Sequence, residues 1–147
     1  MHKTIFILLL LFIQMSVFSQ SRMNTGKIQI TISNIRNNKG RVLCSLFKEG
    51  VGYPDQPANA YYKASLIIKE GRANLLIDSL PPGRYAMALL HDENGDNKMN
   101  TTMFGLPKEG YGFSNNVMGL MGPPAFSKAS FSVVAGQLKG VAISMRY

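Results

Sequence analysis

The 147-residue chain contains one cysteine, no tryptophan and only two histidines. A single thiol cannot form an internal disulfide, so the fold has to depend on a hydrophobic core. A zinc site needs several cysteine or histidine ligands, which this composition does not supply. The lack of tryptophan also removes a common aromatic platform for sugars. These absences exclude a disulfide-stapled scaffold and a Cys/His zinc centre.

Long hydrophobic runs are lacking except near the start of the chain, where residues 4–17 are mostly apolar and follow Lys3. A basic residue, a short apolar run and small residues at Val17 and Ser19 are typical of a cleavable signal peptide. The run is short for a membrane span of about 20 residues. We therefore predict a signal peptide at residues 1–19 and a single β-sandwich domain at residues 20–147. No transmembrane anchor is expected after cleavage, and the protein is expected to be exported to the periplasm or outside the cell.

Acidic residues are outnumbered, with 8 Asp and Glu against 16 Lys and Arg. Removal of residues 1–19 takes away only Lys3, which leaves 15 basic against 8 acidic residues, a balance of +7. The basic residues are scattered and are not interleaved with aromatics, so we expect no nucleic-acid partner. Weak attraction to anionic lipid or polysaccharide stays open. The expected partner is an unidentified protein or glycan of the cell envelope.

Seven short segments show strand patterns and are separated by turn residues. These segments are residues 27–35, 41–47, 60–69, 72–80, 84–91, 129–134 and 140–147. Residues 37–40 have the composition of a turn, which predicts that the first two strands form a hairpin. With no convincing amphipathic helix, the pattern predicts an all-β fold, a seven-stranded antiparallel β-sandwich of immunoglobulin-like or transthyretin-like architecture. A seven-stranded barrel is the alternative.

The fifth predicted strand is apolar on both faces, so we place it at the centre of a sheet. It follows a stiff turn of two prolines and a glycine at residues 81–83. Tyr85 near its start matches the corner in which a phenol bonds back to the upstream backbone. Plain core packing of Tyr85 is the alternative.

Residues 92–128 form a stretch of 37 residues without a clear strand. Loops of this length are usually functional or disordered. Disorder fits poorly, because Phe104, Tyr111 and Phe113 are among several apolar side chains in the stretch. We predict a long capping loop over one end of the sandwich.

The start of this stretch has the spacing of a calcium loop, because oxygen-bearing side chains recur at alternate positions. The candidate ligands are Asp92, Asn94, Asp96, the backbone carbonyl of Lys98, and Asn100. Asn97 and Met103 stand where an EF-hand has glycine and glutamate. With few carboxylates, calcium affinity is expected in the ~10⁻⁴–10⁻³ M range. The alternative is an Asx-rich turn without an ion, and no other cofactor is indicated.

The run LPPGRYAMALLHDENGDNKMNTTMFGLPKEGYGFSNN, followed by MGPPAFSKASF, resembles a family of small exported bacterial proteins, domain of unknown function 2141 (DUF2141). The family's loop reads D-x-N-x-N-G-x-x-D. Asp92 and Asn94 match this pattern, whereas Asp96, Asn97 and Asn100 replace an Asn, a Gly and an Asp. The resemblance implies a β-sandwich and export, and it implies no activity.

The second part of the stretch mixes glycines with aromatics and paired amides, which indicates a recognition surface. Its candidate residues are Phe104, Lys108, Glu109, Tyr111, Phe113, Ser114, Asn115 and Asn116. The alternative is a self-packed loop whose aromatics face the sandwich and whose amides satisfy buried backbone groups.

Catalysis has few candidate residues. His91 is the only histidine beyond the leader, and we expect it to orient a neighbour rather than act as a base. Cys44 alternates with apolar neighbours, which predicts a buried, inert thiol. We therefore expect a non-catalytic binding or accessory module. A structural module of an envelope assembly is the alternative, followed by a hydrolase of unrecognised type that uses a pair such as Asp92 and Glu109.

Overall fold

The structure is a computed structural model and describes residues 24–147. The predicted signal peptide lies outside the described residues. The strands are β1 (Gly26–Ser33), β2 (Arg41–Lys48), β3 (Tyr62–Leu66), β4 (Ala73–Leu80), β5 (Gly83–Asp92), β6 (Gly110–Phe113), β7 (Phe131–Val133) and β8 (Leu138–Ser144). A short helix α1 (Phe126–Ala129) and 3-10 turns at Pro57–Asn59 and Ser114–Asn116 complete the elements. Among residues 24–147, no helix is both long and apolar enough to cross a membrane.

The strands form two sheets. One has the order β4-β1-β8, and the other has the order β3-β2-β5-β6 with β7 also paired to β5. β5 is central, as predicted, because β2 pairs along one edge while β6 and β7 share the other. The all-β prediction is confirmed, and an antiparallel bridge between Tyr111 and Arg146 links the two sheets at one edge.

One hydrophobic core joins the two sheets. Alternate residues of β1, namely Ile28, Ile30 and Ile32, are fully buried, and Val42 and Leu46 of β2 are fully buried in the same cluster. Burying each aliphatic side chain of this size contributes about 1.5–3 kcal/mol. The alternation that marked these strands in the sequence therefore reports their inward faces.

The prediction of seven antiparallel strands is wrong in two respects. There are eight strands in the described part of the chain, and β1 and β8 pair in parallel. Side-chain alternation defines the faces of a strand but carries no information about the direction of its neighbour. The predicted hairpin at residues 37–40 is also wrong, because β1 and β2 lie in different sheets.

The additional strand is β6, which lies inside the predicted capping loop. Its sequence, GYGF, has two glycines that ordinarily suggest a break in a strand. A Cβ at Gly110 would collide with the ring of Tyr147, and one at Gly112 would lie 3.0 Å from Ile143. The glycines therefore permit close packing. Because β6 and α1 divide residues 92–128, the prediction of one long loop is wrong.

Candidate functional site

The site begins where β5 ends. Because β5 runs through the middle of its sheet, it carries Asp92 into a buried position, with 2% of the residue exposed. The Asp92 carboxylate accepts hydrogen bonds from the backbone N–H groups of Gly95 (2.8 Å) and Asn97 (3.0 Å). One carboxylate therefore holds the turn of residues 92–100, which we call the Asp92 loop.

The backbone of the Asp92 loop has two residues in the left-handed region. Gly95 has φ 78° and Asn97 has φ 60°. Asparagine tolerates this conformation better than most residues other than glycine. Asn97 can therefore provide the turn for which an EF-hand uses glycine.

Three polar side chains of the Asp92 loop converge on one another. The Asp96 carboxylate accepts from the amides of Asn94 (3.1 Å) and Asn100 (2.8 Å), and the Asn94 amide also donates to the Asn100 side-chain oxygen (2.9 Å). The Asn100 hydrogen bond is the main cause that lowers the pKa of Asp96, and the Lys98 backbone N–H adds to it. Asn94, Asp96 and Asn100, three of the residues at alternate positions, therefore contact one another.

Glu109 joins this cluster from a distant position in the sequence. It is 5% exposed, and its carboxylate accepts from the backbone N–H groups of Glu93 and Asn100, both at 3.0 Å. Gly110 pairs with His91 across β5 and β6, so the register places Glu109 beside the Asp92 loop. Its carboxylate connects the beginning of the loop to its end.

The carboxylates of Asp92, Asp96 and Glu109 each offer an oxygen, and these oxygens lie within 4.8 Å of one another. Local spacing did not identify Glu109 as a ligand candidate, because only the pairing of β6 with β5 brings it here. A repeated pattern within one loop cannot report a ligand from another segment. The sequence feature that marks Glu109 is a single acidic residue directly before residues 110–113, in which glycines and aromatics alternate.

His91 is fully buried next to Asp92 and uses both ring nitrogens. Nε2 lies 2.8 Å from the backbone oxygen of Lys39, and Nδ1 lies 2.8 Å from the Tyr147 hydroxyl. A carbonyl only accepts, so Nε2 carries a proton, and in the neutral ring Nδ1 accepts from the Tyr147 hydroxyl. The same hydroxyl accepts from the Arg36 backbone N–H (3.0 Å). His91 thus holds Tyr147 against the end of β5.

A shallow cleft lies beside the acidic cluster. It is lined by Arg36, Glu93, Asn94, Asn100, Thr101, Lys108 and Glu109. The Arg36 guanidinium forms an ion pair with Glu93, donates to the Lys108 carbonyl (3.0 Å) and stacks on Tyr147 at 4.5 Å. Partial burial opposes ionisation of Glu93, but hydrogen bonds from Asn37 and Arg36 prevail and lower its pKa. The cleft therefore combines both signs of charge.

The predicted recognition surface does not form one surface. Phe104 and Lys108 are exposed, and Tyr111 is half-buried on β6. Phe113 and Ser114 are buried. Ser114 is fixed by bonds to the backbone of β5 and α1, since its hydroxyl accepts from Met87 N–H (2.9 Å) and donates to the Ala129 carbonyl (2.6 Å).

The paired amides serve the backbone rather than solvent. The Asn115 amide donates to the carbonyls of Lys128 and Ser130, each at 3.0 Å. Asn116 accepts from the Ser144 N–H at 2.8 Å and donates to a neighbouring carbonyl of β8. Both side chains are exposed in part, yet they hold neighbouring segments together. The self-packed alternative describes this half of the surface.

Cys44 is buried on β2 with 2% exposure, as predicted from its alternation with apolar residues. Burial raises the pKa of its thiol to about 12. A thiol in this state is neither a nucleophile nor a metal ligand at neutral pH.

The two sheets and the acidic loop define a small all-β protein with an Asx-rich loop at the end of its central strand. The chain belongs to the family described as an uncharacterized protein conserved in bacteria (DUF2141), whose model matches residues 30–140. This match confirms the resemblance found in the sequence. Neither the curated proteins nor the solved structures compared with the chain give a match. The family description names no activity, so the function has to be argued from the site.

Proposed function

We propose that the protein is an exported, non-catalytic binding or accessory module of the cell envelope whose Asp92 loop binds calcium. The observation that carries this proposal is the convergence of oxygens from Asp92, Asp96 and Glu109 within 4.8 Å, two of them on buried residues. Carboxylates this close repel one another, and a divalent cation removes the repulsion. Calcium takes 6 to 8 oxygen ligands, including carboxylates, amide oxygens and backbone carbonyls.

The remaining ligands are available nearby. The side-chain oxygens of Asn94 and Asn100 already lie within the cluster, and the Lys98 carbonyl follows in the same loop. Asp92 and Glu109 keep free lone pairs, because an ionised carboxylate offers about four acceptor sites and each accepts two backbone bonds here. Asp96 is exposed, so its amide partners can rotate when an ion binds. The alternative is that these bonds alone hold the loop.

The proposal that the protein is non-catalytic is supported by the surroundings of the side chains that a hydrolase would need. Both nitrogens of His91 are engaged, and Cys44 is buried with a raised pKa. Asp92 and Glu109 each accept hydrogen bonds from two backbone N–H groups, which gives them a structural task.

Export and the immunoglobulin-like or transthyretin-like architecture belong to the same proposal. Export rests on the leader pattern of residues 1–19. The architecture is supported by Tyr85, whose hydroxyl donates to the Pro81 carbonyl at 2.8 Å as in the corner of many sandwiches. We take residues 20–147 as a single domain. We take the binding partner of this domain to be a protein or glycan of the cell envelope.

The test is thermal unfolding of residues 20–147 in EDTA and in millimolar CaCl₂, together with a calcium titration by calorimetry. We expect calcium to raise the unfolding midpoint and Asp96→Asn to abolish most of that rise. Asp78→Asn is the matched control, because it removes the same charge from an exposed residue of β4. Equal unfolding midpoints in EDTA and calcium, with no heat of binding, would mean that the loop is an Asx-rich turn that binds no ion.

A further inference from the structure

Residues 101–107 form a short hairpin directly after the Asp92 loop, which we call the tip hairpin. Its base is closed by the bridge between Thr101 and Pro107 and by a bond from Lys108 N–H to the Asn100 carbonyl at 2.8 Å. Thr102 N–H donates to the Leu106 carbonyl at 2.8 Å. The backbone of the hairpin is therefore hydrogen-bonded within itself.

The end of the tip hairpin is apolar and exposed. The exposed fractions are 92% for Met103, 83% for Phe104 and 62% for Leu106. The Thr102 hydroxyl accepts from the N–H groups of Phe104 (3.3 Å) and Leu106 (3.2 Å), so the turn is shaped to present these side chains. The tip hairpin thus places three large apolar side chains in water within four residues, a feature found at interaction sites.

The tip hairpin is flanked by two lysines. Residues 97–108 contain Lys98 and Lys108 and no acidic residue, whereas Asp96 and Glu109 lie directly outside this range. Arg36 approaches the base of the hairpin through its bond to the Lys108 carbonyl. The chain as a whole carries a formal charge of +8. An apolar end above basic side chains is complementary to a surface that is anionic outside and apolar beneath.

We propose that the tip hairpin is a membrane-surface anchor, which inserts Met103, Phe104 and Leu106 into the interfacial layer of a bilayer that contains anionic lipid. Lys98 and Lys108 would then lie at the level of the headgroups. Three residues on each arm extend roughly 10 Å, which matches the depth of the headgroup and acyl boundary.

A lipid surface fits the tip better than a protein partner does. A stable protein interface buries about 800 Å² on each side. The tip is narrow and convex and offers three apolar side chains. Insertion into lipid requires no shaped pocket and removes these side chains from water on all sides. This anchor does not depend on calcium, although an ion at the Asp92 loop would offset nearby carboxylates that repel anionic lipid.

The chain has no tryptophan, so Phe104→Trp introduces a single fluorescent reporter at the tip. Vesicles of phosphatidylcholine with phosphatidylglycerol are added to residues 20–147, in EDTA and in CaCl₂. We expect a blue shift of the emission with these vesicles and a smaller one with phosphatidylcholine alone. Leu120→Trp is the matched control, because Leu120 is fully exposed on a different loop. A shift at neither position, or an equal shift at both, would overturn the anchor.

Vesicle sedimentation gives the second measurement. Met103→Ser with Phe104→Ser should lower the partition coefficient at least about tenfold, because it removes two apolar anchors. Leu120→Ser with Met121→Ser, which changes two residues of similar exposure, should leave it unchanged. Unaltered unfolding midpoints verify that both variants fold. Equal partitioning of tip variant and wild type would overturn the proposal. Whether calcium changes vesicle binding tests only the ion site at the Asp92 loop and not the anchor at the tip hairpin.

Discussion

Replacement of Glu109 by alanine should destabilise the protein by several kcal/mol, even in EDTA. Glu109 is 5% exposed, and its carboxylate accepts two backbone hydrogen bonds, one from Glu93 and one from Asn100. A hydrogen bond to a charged group contributes about 1.5–3 kcal/mol, so the two together contribute about 3–6 kcal/mol. Relief of repulsion from Asp92 and Asp96 offsets part of this loss. The net destabilisation expected is about 3 kcal/mol.

Urea unfolding of residues 20–147, followed by circular dichroism, measures this loss. Glu109→Gln should lose less than Glu109→Ala, because one backbone N–H keeps a neutral acceptor oxygen while the other faces the amide NH₂ group and has no acceptor. Asp78→Ala is the control, since an exposed acid on β4 should change stability by less than about 0.5 kcal/mol. A loss below about 1 kcal/mol for Glu109→Ala would refute the view that this carboxylate closes the loop.

Two further predictions concern titratable groups. The Cys44 thiol, with a pKa of about 12, should resist alkylation by iodoacetamide at neutral pH in the folded protein and react in denaturant; rapid labelling without denaturant would contradict its burial. The pKa values of Asp96 and Glu93 are lowered in the folded protein, so their stabilisation is present above the unfolded carboxylate pKa of about 4 and is lost as pH falls through the lower folded values. Urea unfolding across the acidic range should show this decline, and Asp96→Asn should make it shallower; identical slopes for variant and wild type would count against the Asp96 contribution.

The local character of the chain could be predicted well. Each of the seven predicted strands overlaps an observed one, because alternation of apolar and polar residues directly reports one buried face. Cys44 and Tyr85 were placed correctly, since each follows from its neighbours in sequence. The Asp92 loop was also located, because carboxylates and amides at alternate positions describe a turn that closes on itself.

Pairing between distant segments could not be predicted. The turn at residues 37–40 has hairpin composition, yet it connects two sheets, and β1 pairs in parallel with β8 near the other end of the chain. β6 was missed because its glycines resemble a break, whereas they make room for Tyr147 and Ile143. In both cases the decisive contact lies with a residue far away in the sequence.

The features of the candidate site divide in the same way, into those that depend on neighbouring residues and those that depend on distant segments. The sequence by itself determined the acidic loop after the central strand and the buried thiol, because these depend on neighbouring residues. Only the tertiary structure decided that Glu109 completes the acidic cluster, that Phe113 and Ser114 are buried, and that His91 is held between Lys39 and Tyr147. These outcomes depend on strand register and on which segments share a core, and neither quantity is encoded in local spacing.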